Sequence, residues 1–521
     1  TITLTSLRDN GGTEGEGNDT GDLAIAATIA LAINNPPGWQ NSITNPDATL
    51  YYNNGTLSGY GEYVTAITVS ADGKTLLVSG SDGANAGGNS TLRIYSRDST
   101  TGELTLVQTF IQGESDNPET TAIEANGLSG ITTMTMHGND LYVAGHSGDA
   151  TTYSLVRFTY DATSGQYTYA GIVATQGGDG ATGLDAQITE IVISADGKSL
   201  YTINGLTTVD GTTGKSVLAQ FSRDPDTGAL TYLGEYQGGS ATLGMNAPSG
   251  MVISGDGKSV YVANSSNSMI TVLSRDTQTG KLTYVGLIND ASISADPNSA
   301  ARPSDNRYLA NMQDITLSPD GNFVYVGSGQ QATLSIFSRN ASDGSLTYAG
   351  TVDLYSKGYT PANALSVREL VISQDGTALY AGMNGGSVLV FSRDAITGAL
   401  TFVSALNTGA RTNHIAVSAD GLNLYSGRSS GGTGLAILSA LPNATYTADG
   451  STPFAQGLHF SDVDADQITD YKGTTLTINR ASGASADDQF SFKNGSGLHD
   501  HEGQGDHCHL RDAGWRTDHH L

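Results

Sequence analysis

MVISGDGKSVYVANSSNSMITVLSRDTQTGKLTYVG, residues Met251 to Gly286, is the stretch whose reading decides the fold. An apolar run, Met251 to Ser254, meets a tight turn at Gly255-Asp256-Gly257. A second run, Ser259 to Ala263, is followed by a loop, and a third, Met269 to Ser274, leads into a polar turn containing Gly280. Leu282 to Val285 supplies the fourth run. Period-two alternation broken by Asp-Gly and Thr-Gly turns is the hairpin pattern, and successive hairpins predict a four-stranded antiparallel meander.

The unit recurs. Its first turn is marked by Gly73, Gly138, Gly197, Gly257, Gly321, Gly376 and Gly421, at steps of 45 to 65 residues. That spacing is in or a little above the range of propeller blades and too long for solenoid coils of short strands. A second marker follows on the third strand: Ser96-Arg97-Asp98, Ser222-Arg223-Asp224, Ser274-Arg275-Asp276, Ser338-Arg339-Asn340 and Ser392-Arg393-Asp394, with Thr159-Tyr160-Asp161 in the second unit. The last unit breaks off without a fourth strand, whereas Asp47 to Gly61 (DATLYYNNGTLSGYG) reads as a fourth strand without a blade. Pairing the two would remove the open edges of a linear array. The expectation is an all-β, seven-bladed propeller of four-stranded antiparallel blades over residues 39–442, its last blade closed by an N-terminal strand. Partial β-sandwich segments are expected at 1–38 and 443–497, and a disordered tail or sequence-end artefact at 498–521.

Blades of the form SxDGKxLYV followed by SRDxxTGxLTxxG resemble the seven-bladed lactonase family, which includes phosphogluconolactonase-type proteins and the related YVTN-type surface-layer propellers. The resemblance spans about residues 48 to 440 and implies an architecture more than an activity. The two flanks, Thr1 to Pro37 and Phe454 to Gly497, resemble strands of the cadherin-like, immunoglobulin-type repeats of giant bacterial adhesins.

Composition removes several function classes. With 51 Asp and Glu against 24 Lys and Arg, the formal charge of -27 repels phosphate backbones and anionic lipid, so nucleic acid is excluded as a partner. No run approaches the ~20 apolar residues that a membrane-spanning helix needs, and Leu23 to Ile33 is too short. The single Cys508 rules out an internal disulfide framework. Acidity and scarce cysteine suit an exported bacterial protein, extracellular or at the cell surface. The chain opens at Thr1 inside a strand-like run and reads as a fragment of a longer protein, so any export signal would lie upstream.

The recurring aspartates Asp72, Asp196, Asp256, Asp320, Asp375 and Asp420 read as turn caps, and the arginines of the second marker as ties between blades. Counting back seven residues from each turn glycine reaches the start of the innermost strand, at Ala66, Ile131, Glu190, Gly250, Asp314, Glu369 and His414. Equivalent positions on inner strands form a ring around the channel, so three acids and a histidine are expected at one mouth. Such a group can be a merely hydrated polar rim, hold a cation or a polar ligand, or catalyse ester hydrolysis with His414 as base and Glu369, Asp314 and Glu190 beside it. Arg368 and Asn413, with Arg302 and Arg307 on the connection entering blade five, are the candidate ligand contacts. Asp462, Asp464, Asp466 and Asp470 give the closely spaced oxygens that calcium takes, although the spacing is not that of an EF-hand.

Two functions compete. The one favoured by the sequence is a non-enzymatic adhesin or surface-layer module presenting loops to a glycan, a peptide or a neighbouring module. The alternative is a lactonase-like hydrolase of the 6-phosphogluconolactonase type, acting at the channel mouth.

Overall fold

A computed structural model describes residues 63–439 apart from connecting segments, of which 294–307 and 355–365 are the longest, and strands in both flanks. The chain divides into two compact units, Asn41–Ser439 and Thr1–Gln40 with Ala440–Leu521.

The larger unit is a ring of seven antiparallel sheets. Blade one has strands Tyr63–Val69, Thr75–Ser81, Ser90–Arg97 and Leu104–Gln112, with a short fifth strand, Ile123–Ala125, added in parallel at its outer edge. Blades two to six are four-stranded, and blade seven has three strands, Thr412–Val417, Asn423–Arg428 and Leu435–Ser439. The segment Asp47 to Gly61 lies outside the described residues. Each inner strand packs against those of the blades before and after it, and Tyr63–Val69 lies against Thr412–Val417, so the ring closes.

Blade four shows why this sequence builds a blade. Gly257 takes φ +68° in the turn, where its amide donates to the Ser254 carbonyl at 2.8 Å. Asp256 closes the same turn, accepting from the Ser254 hydroxyl at 2.5 Å and the Lys258 amide at 3.0 Å. The second strand, Ser259–Asn264, is buried at every residue because blades cover both its faces, so strict alternation is unnecessary there. The outer strand, Leu282–Asn289, is covered on one side only. Apolar clusters fill the wedges between neighbours, such as Tyr201, Leu218, Met251, Val262 and Leu273 between blades three and four.

Polar ties cross the same wedges. Arg275 is buried, and its guanidinium donates to the Gly257 carbonyl of its own blade and to Asp196 of the preceding blade at 3.0 Å. Its Nε donates to the Tyr201 hydroxyl, which in turn donates to the Gly280 carbonyl. Arg339 meets Asp256 and Tyr261 in the same way, Arg393 meets Asp320 and Tyr325, and Arg97 of blade one meets Asp420 of blade seven. Blade two has no Ser-x-Asp-Gly turn, and there Asp140 takes both Arg157 and Arg223.

Burial pushes the pKa of Asp196 up, but the Ser194 hydroxyl, the Lys198 amide and Arg275 outweigh it and hold the carboxyl below its usual value. Asp256, Asp320 and Asp420 are depressed by the same balance. A depressed carboxyl contributes stability in full above its unfolded pKa of about 3.9 and loses it as pH falls through the folded value. The melting temperature is therefore expected to drop steeply below about pH 4, and Arg275→Gln should flatten that acid limb in a pH series of thermal melts.

The smaller unit is a four-stranded antiparallel sheet in the order Ile2–Asp9, Thr474–Arg480, His507–Asp512, Leu498–His501. The tail from Leu498, expected to lack strands, carries two of the four. Leu510 and Cys508 fall opposite Leu476 and Ile478 in the register, an alternate apolar pairing that the histidine-rich composition obscures.

Candidate functional site

Every inner strand carries a β-bulge just before the position counted back from its turn. The register shifts between Ile188 and Glu190, Pro248 and Gly250, Met312 and Asp314, Val367 and Glu369, and Thr412 and His414. Bulges re-aim side chains, and here they bring equivalent residues to the channel wall. Blade two departs from the count. Its hairpin turn is only Gly138-Asn139 between the paired His137 and Asp140, shorter than the others, so Thr133 and not Ile131 occupies the ring position. Ile131 is buried in the apolar wedge between blades one and two.

The acids tie the inner strands of blades three, five and six to those of the blades that follow them. Asp314 accepts from the Ile315 amide and from the Leu370 amide of the next blade, both at 2.7 Å. Glu369 accepts from the Ile415 amide of blade seven at 2.5 Å, and Glu190 from Met251 of blade four at 3.3 Å. These amides sit on the channel edge of the inner strands, and the carboxylates satisfy them. Gly250 is the ring residue between Glu190 and Asp314. A Cβ there would come within 2.8 Å of Asp314 Oδ1, so only glycine lets that carboxylate fold back against blade four.

Four of the predicted site residues are thus neighbours at one mouth. His414 Nδ1 lies 3.6 Å from Glu369 Oε2, with both side chains about 30% exposed, at 31% and 28%. Glu190 is pushed well above the usual carboxylate range, first by burial and then by repulsion from Asp314 and Glu369. Burial and the charge of Glu369 likewise push Asp314 up to about 8, against the pull of its two amide donors. Both shifts favour the neutral form of these two carboxyls, which stand beside the His414–Glu369 pair.

For these raised carboxyls the sign is opposite to that of the blade ties. Their contribution is most favourable below the unfolded pKa and is lost as pH climbs through the folded value. Glu190→Gln keeps an acceptor for Met251 and removes the charge. It is expected to raise stability more at about pH 9 than at about pH 5, read by urea denaturation at the two pH values.

Arg368 sits beside this ring on the face where the inner strands begin. Its Nη1 donates to the Gln313 side-chain oxygen at 3.1 Å, and its Nη2 reaches the Asn384 side chain at 3.4 Å. Its Nε is buried without an acceptor, and Asn413 Oδ1 is buried without a donor. Arg302 and Arg307 lie outside the described residues, as do Asp462, Asp464, Asp466 and Asp470. Among the described residues no group of three or more His, Cys, Asp or Glu side chains is arranged to hold a metal ion. Nor does any described helix have the length and apolar character to cross a membrane.

Comparison with known proteins gives a family. The model for "Lactonase, 7-bladed beta-propeller" matches residues 138–295 and 291–417, together more than half of the chain. The chain belongs to the seven-bladed lactonase family. No curated protein matches it. Among solved structures, a proposed 6-phosphogluconolactonase from Bacteroides fragilis is 19% identical, covering 66% of this chain and 84% of its own, with a TM-score of 0.46. A second, from Bacteroides uniformis, is 20% identical over 66% of this chain and 86% of its own, with a TM-score of 0.47. The periplasmic gluconolactonase of Pseudomonas aeruginosa is 17% identical over 66% and 85%, with a TM-score of 0.45. At such identities and scores they carry no inference about activity. The lactonase match reaches neither flank, and the adhesin reading gains no support from it.

Proposed function

We propose that this lactonase-family chain hydrolyses a sugar lactone at the channel mouth, with His414 as general base. The observation that carries this reading is the His414–Glu369 pair at the channel mouth, with the raised carboxyls of Glu190 and Asp314 on the same ring, in a chain of this family. Glu369 lies next to Nδ1 of the imidazole and favours the tautomer that leaves Nε2 free to accept a proton. Water gives that proton to His414 as its oxygen bonds to the lactone carbonyl carbon. The tetrahedral oxyanion then collapses, the ring C–O bond breaks, and the imidazolium returns the proton to the departing alkoxide. Glu190 uses Oε2 to hold the Met251 amide, and because burial and its acid neighbours favour the protonated form, Oε1 is the atom that would donate to the developing oxyanion.

Acid release from a panel of sugar γ- and δ-lactones, followed in a pH-stat, tests this directly. Turnover above the spontaneous rate for at least one lactone is the expected result. A panel that opens no faster with the protein than without it would remove the hydrolase assignment. An extracellular setting, read from composition, belongs to the same proposal.

A further inference from the structure

We propose that the mouth selects lactones that carry a carboxylate, anchored by Arg368 and Arg411; the inference rests on the hydrolase reading for its substrate and on separate residues for its selectivity. The arginines of the blade ties set the standard for this protein. Arg97, Arg223, Arg275, Arg339 and Arg393 are buried, and each ends on an aspartate. Arg368 does not. It is half-buried, and its hydrogen-bonding partners are the neutral side chains of Gln313 and Asn384. Gln313 is itself fixed from behind, donating to the backbone and side-chain oxygens of Asn311 at 3.3 and 3.2 Å. Its carbonyl oxygen is therefore presented to the guanidinium.

Among the described residues this guanidinium is held by amides, with one nitrogen enclosed and unpaired, and it has no counter-charge. Its surroundings intensify this. Burial and the nearby positive charge of Arg411 both act to lower the pKa of Arg368. Arg411 is exposed, one strand start away on blade seven, and three residues before His414. In a chain of net charge -27, two arginines left to repel each other beside the reacting groups fit an anion brought by the ligand.

The chemistry favours a monoanion. The planar fork of arginine matches a carboxylate in two parallel hydrogen bonds. A phosphate dianion would add a second negative charge next to Glu369 and to an acidic surface, which opposes its approach.

The test compares kcat/KM for glucaro-lactone, which carries a free carboxylate, with glucono-lactone, which is neutral, and with 6-phosphoglucono-lactone. The carboxylated substrate is expected to lead the neutral one by tenfold or more, with the lead shrinking in high salt. Arg368→Gln and Arg411→Gln should each reduce that ratio about tenfold. A wild-type protein that hydrolyses the neutral lactone equally well, or whose ratio is untouched by both substitutions, overturns the inference and leaves the hydrolase standing. Preference for the phosphorylated substrate also overturns it. If no lactone is opened, binding of glucarate to the intact protein decides: arginine-dependent binding supports the anchor without the hydrolase, and its absence rejects both.

Discussion

Replacing His414 by alanine is expected to lower kcat for lactone opening by about a hundredfold or more, the usual consequence of removing a general base. KM should change little, because the imidazole acts on water and not on the sugar. His414 is about a third exposed at the mouth and sits in no apolar wedge, so the melting temperature should stay within a degree or two. Glu369→Gln is the companion variant. Its amide oxygen can still accept from Ile415, which preserves the link to blade seven, while the charge next to His414 Nδ1 disappears. A loss of roughly tenfold or more in kcat is expected from a base that has lost its orienting carboxylate. Full activity in both variants would place the chemistry elsewhere.

The largest effect on stability is expected at Asp140. This carboxylate is 6% exposed and serves two guanidiniums, Arg157 of its own blade and Arg223 of the next. Asp140→Ala leaves the buried Arg223 with only the Tyr142 hydroxyl and the Gly197 carbonyl as partners. An uncompensated buried charge costs about 3–5 kcal/mol. Asp140→Asn should cost less, since the amide oxygen still accepts one guanidinium hydrogen bond. Guanidinium chloride unfolding of the three proteins checks the order; equal midpoints would mean that the wedge between blades two and three is held by its apolar residues alone.

Much of this was legible in the sequence because a closed array repeats its solutions. Seven turn glycines carry the blade count, and the recurring arginine of the Ser-Arg-Asp marker predicts the ties between blades. The tyrosines completing those ties, Tyr201, Tyr261 and Tyr325, were not singled out, since an aromatic in a strand is ordinarily core. Their signal was present in the fixed distance from the turn glycine. Counting failed in blade two because the register depends on the length of the turn, and Gly138-Asn139 is a shorter one. The ring positions of Glu190, Asp314, Glu369 and His414 followed from counting alone. Their ionisation did not, because it depends on how closely residues from separate blades approach across the channel. Counting placed Gly250 in the ring without a role, and its missing side chain is what admits the Asp314 carboxylate.

The blade ties also impose a timetable on synthesis. Asp196 and Arg275 are 79 residues apart, Asp256 and Arg339 are 83, and Asp320 and Arg393 are 73. A blade leaving the ribosome therefore keeps a bare carboxylate only until the third strand of its successor emerges. Arg97 is different, because Asp420 follows it by 323 residues. The first blade to be translated is the last to be neutralised, and it must carry an unanswered guanidinium while almost the whole ring is made. Contacts so distant along the chain form slowly. Nascent chains stalled before residue 420 should thus be open at this one seam, and it is there that a chaperone or a neighbouring nascent chain would find them exposed.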